Sequence, residues 1–151
     1  MGITRLISKG LKEQLVQEKI LDENTAEQAQ KKAEERGESF LETAVGMGFV
    51  SESDVVDVLV RTLNLPCIDA ARYFADRDLL NCIPPETIVN HRILPLEKIG
   101  GILIVAICDY IEQTVINAVE KKTGLEVRLY VTPYSAYTGA LKELDLNKTP
   151  D

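Results

Sequence analysis

The sequence predicts an α+β fold: an N-terminal helical bundle of two helical hairpins over about residues 1–66, then a small α/β sandwich over about 67–145 with a β-hairpin and a βα crossover. Three observations carry this. Up to Pro66 the apolar residues recur at helical spacing. Beyond it, two β-branched runs meet at Gly100-Gly101, and a third stretch alternates apolar and polar residues from Leu125 to Val131. Finally, a shift of 29 residues lays Leu11 on Phe40, Val16 on Val45, Ile20 on Phe49, Leu21 on Val50, Glu23 on Glu52 and Ala29 on Val58.

The first helix is expected over about Thr4 to Glu18, with Leu6, Ile7, Leu11 and Leu15 on one face. Ile20 and Leu21 form an apolar connector. Asn24 with Glu27 three residues on resembles a capping box for a second helix, which ends where Gly37 suits the left-handed position. A third helix, Glu38 to Met47, ends at Gly48; Ser51 with Asp54 opens a fourth, striped by Val55, Leu59 and Leu63 and stopped by Pro66. Each repeat unit is then helix, connector, capped helix, and two such hairpins together bury what one cannot. Two unrelated amphipathic helix pairs would align in a similar way, so the pattern alone leaves the repeat open.

In the second half, Cys67-Ile68 reads as a short strand and Asp76–Asn81 and Pro85–Asn90 as short helices, with Pro85 at a first helical position. Ile93–Lys98 and Ile102–Ile107 form a hairpin whose Gly-Gly turn supplies positive φ, and Pro95 pushes its strand to a sheet edge. Asp109 with Glu112 is expected to cap the next helix, which closes at Lys121-Lys122-Thr123-Gly124. Strand–helix–strand from Ile102 to Val131 implies a parallel crossover. A last helix follows Pro133 to about Leu144, and residues 146–151 read as a tail or linker stub.

Composition narrows the function. The 151 residues carry 17 Lys+Arg against 24 Asp+Glu, a net charge of −7, and both halves are acidic. A general nucleic-acid or anionic-membrane binder needs a basic footprint, so no nucleic-acid partner is expected. The longest apolar run, Ile102 to Cys108, falls far short of a spanning helix, and the start lacks the apolar stretch of a signal peptide; Leu6 stands where a myristoylation signal has Ser or Thr. Cys67, Cys82 and Cys108 sit in apolar stretches without metal-like spacing and read as reduced, buried thiols.

Candidate chemistry is thin. Gly100-Gly101 precedes a strand rather than a helix, so a hairpin turn explains it better than a phosphate loop. Asp109 could act as a base or metal ligand, but a capping role accounts for it. His91-Arg92 could be an acid–base or phosphate pair, but a lone His at a helix end is more often structural. Ser51, Ser53 and Asp54 are better read as caps, and Lys31, Lys32, Glu34 and Glu35 as a solvated helix face. No catalytic, cofactor-binding or metal-binding residue is assigned.

The string His91-Arg-Ile-Leu-Pro-Leu-Glu-Lys-Ile-Gly-Gly-Ile-Leu-Ile-Val-Ala-Ile-Cys-Asp109, then Thr123-Gly-Leu-Glu-Val127 and a helix after Pro133, resembles the N-terminal domain of the assembly ATPases of type II secretion and type IV pili. Gly48-Phe-Val-Ser-Glu52, Leu63-Asn-Leu-Pro66 and Ile83-Pro-Pro-Glu86 resemble its upstream segments in the same order. The resemblance implies a non-catalytic docking domain. It would link an assembly ATPase to the cytoplasmic part of an inner-membrane platform protein, on the cytoplasmic side, without inserting into the membrane. Some members bind cyclic di-GMP through two copies of an arginine- and glycine-containing motif, and the 29-residue repeat falls on those copies. Here the arginine positions hold Gly10 and Ser39, the first glycine positions Lys12 and Leu41, and the glutamine positions Ala33 and Thr62. Loss of both arginines removes the charge-assisted donors for phosphate and the planes for stacking. Docking is therefore the leading expectation and cyclic-di-GMP binding the alternative.

Overall fold

The computed structural model of the protein describes residues 10–73 and 77–144. The start of the expected first helix, residue 76 and the tail lie outside the described residues. Four helices lead: α1 Leu11–Gln17, α2 Glu23–Arg36, α3 Phe40–Gly46 and α4 Glu52–Leu63. Two 3₁₀ turns, Ala70–Arg72 and Arg77–Asn81, bring the chain to α5 Pro85–His91, with Pro85 in the first turn as expected. Then come β1 Ile93–Ile99, β2 Ile102–Ile107, α6 Gln113–Thr123, β3 Glu126–Val131 and α7 Tyr134–Leu144. The α+β class stands: seven α-helices and one three-stranded sheet among the described residues.

The sheet order is β1-β2-β3. β1 and β2 pair antiparallel from Ile93↔Ile107 to Ile99↔Ile102, with an irregularity between Pro95 and Glu97. Proline lacks a ladder donor, so it sits on this outer strand where the register breaks. The turn uses one glycine, not two: Gly100 has φ +57, while Gly101 is not in the left-handed region. β2 and β3 pair parallel from Ile102↔Glu126 to Ile107↔Val131, which is the predicted crossover. The expected Cys67-Ile68 strand shrinks to a single bridge, Cys67 with Val131.

Two caps differ from expectation. α2 is capped by Asp22, whose Oδ1 accepts from Thr25 N–H at 2.7 Å, and not by Asn24. An aspartate two residues upstream serves as well and lengthens the helix by about half a turn. Asp109 does not cap α6: Glu112 is the N-cap residue, with no side-chain cap bond, and Asp109 instead accepts from Tyr110 N–H at 2.7 Å. Elsewhere the local chemistry is as read: Ser51 Oγ accepts from Asp54 N–H at 3.1 Å, and Gly37 and Gly124 close α2 and α6 at φ +67 and +73.

One apolar core runs from the helical half into the sheet, through Leu15, Leu41, Leu59, Ile88, Leu103 and Ile107. Among the described residues the two buried polar side chains are satisfied: Thr43 Oγ1 donates to Glu38 at 2.8 Å, and Thr132 Oγ1 accepts from Ala70 N–H at 3.1 Å. The cysteines are not uniformly buried. Cys108 is buried and Cys82 half-buried, but Cys67 is exposed because its bridge sits at the margin of the sheet.

Candidate functional site: the tandem helical unit and its seam with the sheet

The repeat is real in three dimensions. α1 and α3 begin and end at positions 29 apart, and α2 and α4 begin 29 apart. After α1, Ile20 and Leu21 N–H both donate to Leu15 C=O, at 2.9 and 3.3 Å; after α3, Phe49 and Val50 N–H both donate to Ala44 C=O, at 2.9 and 3.4 Å. The residue before each pair turns left-handed: Lys19 at φ +62 and its counterpart Gly48 at φ +75. A glycine takes that conformation freely, whereas a lysine is strained. The connector geometry is thus imposed by the fold and kept where the sequence disfavours it. The two units are joined by Arg61 of α4, which reaches Glu18 at the end of α1 at 2.6 Å and Asp57 at 3.1 Å.

The positions where the resemblance places a dinucleotide site are occupied by structural roles. Gly10 precedes α1 and offers no side chain. Ser39 Oγ accepts from Glu42 N–H at 3.1 Å while Glu42 accepts from Ser39 N–H at 2.9 Å, a reciprocal capping box. Lys12 Nζ lies 2.7 Å from Glu27, which ties α1 to α2 and raises the lysine's pKa. Leu41 is fully buried, as is Ala33. Thr62 Oγ1 bonds Val58 C=O at 2.7 Å and Tyr110 OH at 2.7 Å.

Where the tandem unit meets the α/β half, two glutamates clasp the start of α7. Glu52, in the first turn of α4, accepts from Ser135 N–H and Ser135 Oγ, both at 2.9 Å, so a carboxylate from a distant helix caps α7. Glu42 accepts from Tyr134 OH at 3.1 Å and faces Arg92 at 3.7 Å. Partial burial by itself would raise the Glu42 pKa; the Ser39 and Tyr134 hydrogen bonds and the Arg92 charge outweigh it and hold the carboxyl below its usual value. Burial, then the adjacent Glu42, push the Tyr134 hydroxyl well up. Ser39 and Glu42 have the S-x-x-E spacing of a capping box, which the expected helix start at Glu38 passed over; the helix begins at Phe40 with Ser39 as its cap. That the same carboxylate reaches across to Tyr134 was not visible in the sequence, because the partners lie 92 residues apart.

The residues flagged from sequence do not converge. His91 is the last residue of α5 and half-buried. Arg92 follows in the left-handed region at φ +54, with its guanidinium toward Glu42 and Asn90 C=O. Asp109 is half-buried beyond β2; burial, against the opposing Tyr110 N–H and Arg92 charge, lifts its carboxyl to about 6. Glu34 accepts from Gln30 at 3.0 Å and Glu35 faces Lys32 at 3.8 Å, so these are helix-surface contacts. Among the described residues no three His, Cys, Asp or Glu side chains are grouped to hold a metal, and no helix is long and apolar enough to cross a membrane.

Comparison with known proteins fits this architecture. The chain is 24% identical over 144 residues to the type IV pilus assembly ATPase PilB of Myxococcus xanthus, covering 95% of this chain and 25% of that protein. It is 31% identical over 116 residues to PilB of Pseudomonas aeruginosa, covering 77% of this chain and 20% of that protein. It therefore spans a quarter or less of these relatives' length. Among solved structures, MshE with cdg (cyclic di-GMP) superposes with a TM-score of 0.61 at 25% identity, covering 89% of this chain and 96% of that one. The N-terminal domain of XpsE has the same fold, with a TM-score of 0.57 at 22% identity over 93% of this chain and 94% of that one. The MshEN domain model matches residues 63–149, more than half of the chain, and this chain belongs to the MshEN domain family, as the N-terminal domains of type IV pilus and type II secretion ATPases do.

Proposed function

We propose that this chain is a non-catalytic docking module of a type IV pilus or type II secretion assembly system. In this reading it links an assembly ATPase to the cytoplasmic domain of an inner-membrane platform protein, on the cytoplasmic face of that membrane. The observation that carries it is the tandem helical unit, a set of short helices with solvated faces, in a chain of a family shared with pilus and secretion ATPases. Its charge favours a partner with a basic patch and an attraction that weakens with salt. The direct test measures binding of the intact chain to the cytoplasmic domain of an inner-membrane platform protein from the same organism's pilus or secretion system; absence of binding to any such domain sinks the reading.

A second reading, a cyclic-di-GMP receptor, draws support from the similarity to MshE with cdg. Against it stand the positions just described: neither arginine is present, Leu41 fills the core where backbone should approach the ligand, and Lys12 is engaged by Glu27. A ligand at a hundred times its Kd stabilises by ~2.7 kcal/mol. For a domain of this size that is a rise in Tm of roughly 5–10 °C. We expect no such rise with cyclic di-GMP, and a clear one would favour the receptor over the docking module.

A further inference from the structure

The geometry points to the cleft along the seam between α4, the Cys67 bridge and the start of α7 as a docking groove for an extended segment of a partner protein, apolar at alternate positions with basic residues between them. This rests on the docking reading and gives it a site and a partner chemistry. The cleft has a volume of about 540 Å³ and an apolar floor of Val56, Ile68, Pro133 and Ala136. Glu52, whose two oxygens already accept from Ser135 and which keeps its negative charge, and Asp69 stand on its lining, and among the described residues no lysine or arginine does; Arg72, 3.6 Å from Asp69, has an 85% exposed side chain. An apolar cleft with a carboxylate rim in an acidic chain complements apolar side chains flanked by cations.

The backbone supplies the second, independent element. Val131 N–H donates to Pro66 C=O at 2.9 Å, and Ile68 N–H donates to Val131 C=O at 2.8 Å. Residues 66 and 68 therefore turn their backbone groups toward β3, and by strand alternation Cys67 turns its N–H and C=O the other way. Among the described residues no backbone group pairs with Cys67 there. An incoming extended segment can pair with Cys67 and drop alternate side chains into the cleft, the strand-addition mode of peptide recognition.

Cys67 is also the reporter. The experiment measures alkylation of Cys67 in the intact chain by N-ethylmaleimide, with site assignment by peptide mapping, with and without the platform protein's cytoplasmic domain. Ala71 and Ser53 are exposed and line the cleft, so Ala71→Arg and Ser53→Arg put a cation and bulk into it; thermal melts confirm that each is folded, and either one suffices. The expected result is protection of Cys67, and roughly tenfold weaker binding for each folded variant, with affinity falling as salt rises. If the domain binds but Cys67 stays reactive and both variants bind like the unaltered chain, the groove is wrong and the docking reading stands. If the domain does not bind, the docking reading falls, and a short peptide alternating Val with Lys decides the groove. Protection of Cys67 by that peptide, lost in Ala71→Arg and not given by a Val/Glu peptide, sustains it; no protection overturns it.

Discussion

Replacing Asp109 with Asn removes one titrating group and keeps an oxygen for the Tyr110 N–H 2.7 Å away. Burial lifts the Asp109 carboxyl from 3.8 to about 6, in spite of that hydrogen bond and the Arg92 charge. An acid whose pKa is higher folded than unfolded holds its proton more tightly in the native state. Its contribution to stability is therefore complete below pH ~4 and is lost as the pH rises through ~6. At about 1.36 kcal/mol per pH unit the displacement corresponds to ~3 kcal/mol, an upper bound. Solvent reaches part of this residue, so a working figure is about 1–2 kcal/mol. Asn carries no charge at any pH. Asp109→Asn should match the unaltered chain near pH 4 and exceed it by about 1–2 kcal/mol at pH 8, a Tm higher by roughly 2–8 °C. Urea denaturation of both proteins at steps between pH 4 and pH 8 reads this directly, since other titrating groups cancel in the difference. A difference that is flat with pH, or that shrinks as pH rises, would refute the argument that burial controls this carboxylate.

The two connectors make a paired test: Lys19→Gly relieves left-handed strain but adds unfolded-chain freedom, for a net gain of about 0.5 kcal/mol, whereas Gly48→Lys should cost about 1 kcal/mol. Equal signs in thermal melts would contradict the equivalence of the two positions. In the hairpin, Gly100→Val should cost about 1–2 kcal/mol and Gly101→Val much less, because only Gly100 has positive φ; equal losses by chemical denaturation would show the turn wrongly understood. Glu42→Gln should destabilise by about 2 kcal/mol, and a double-mutant cycle with Tyr134→Phe should return a coupling of at least ~0.5 kcal/mol; additive effects would mean that the bond across the seam contributes nothing. Because the Glu42 pKa is held below 4.5, its contribution is present above that pH and lost as the pH falls, the opposite sense to Asp109.

Local pattern was sufficient for much of the architecture. Helical spacing, Gly37 and Gly124, Ser51, and the β-branched runs around Gly100 each carry their instruction within a few residues, so element order and the sheet's pairings were legible in one dimension. The 29-residue repeat was legible too. Applied strictly, it would have moved the α2 cap from Asn24 to Asp22, since Ser51 lies 29 residues beyond Asp22. Asp109 shows the limit of such reading: its spacing to Glu112 matched a cap, but the chain after β2 takes a longer path before α6 begins, and spacing does not encode that path. Cys67 shows another limit, since an apolar neighbourhood in sequence does not tell whether the residue lies at the centre or the margin of a sheet. The seam was decided by tertiary structure alone. Glu42 with Tyr134, and Glu52 with Ser135, lie 92 and 83 residues apart, and nothing local distinguishes these glutamates from other helix-cap acids. What brings them together is burial of one apolar core by both halves of the chain, a non-directional force that acts on summed surface and leaves no mark at the polar residues it positions.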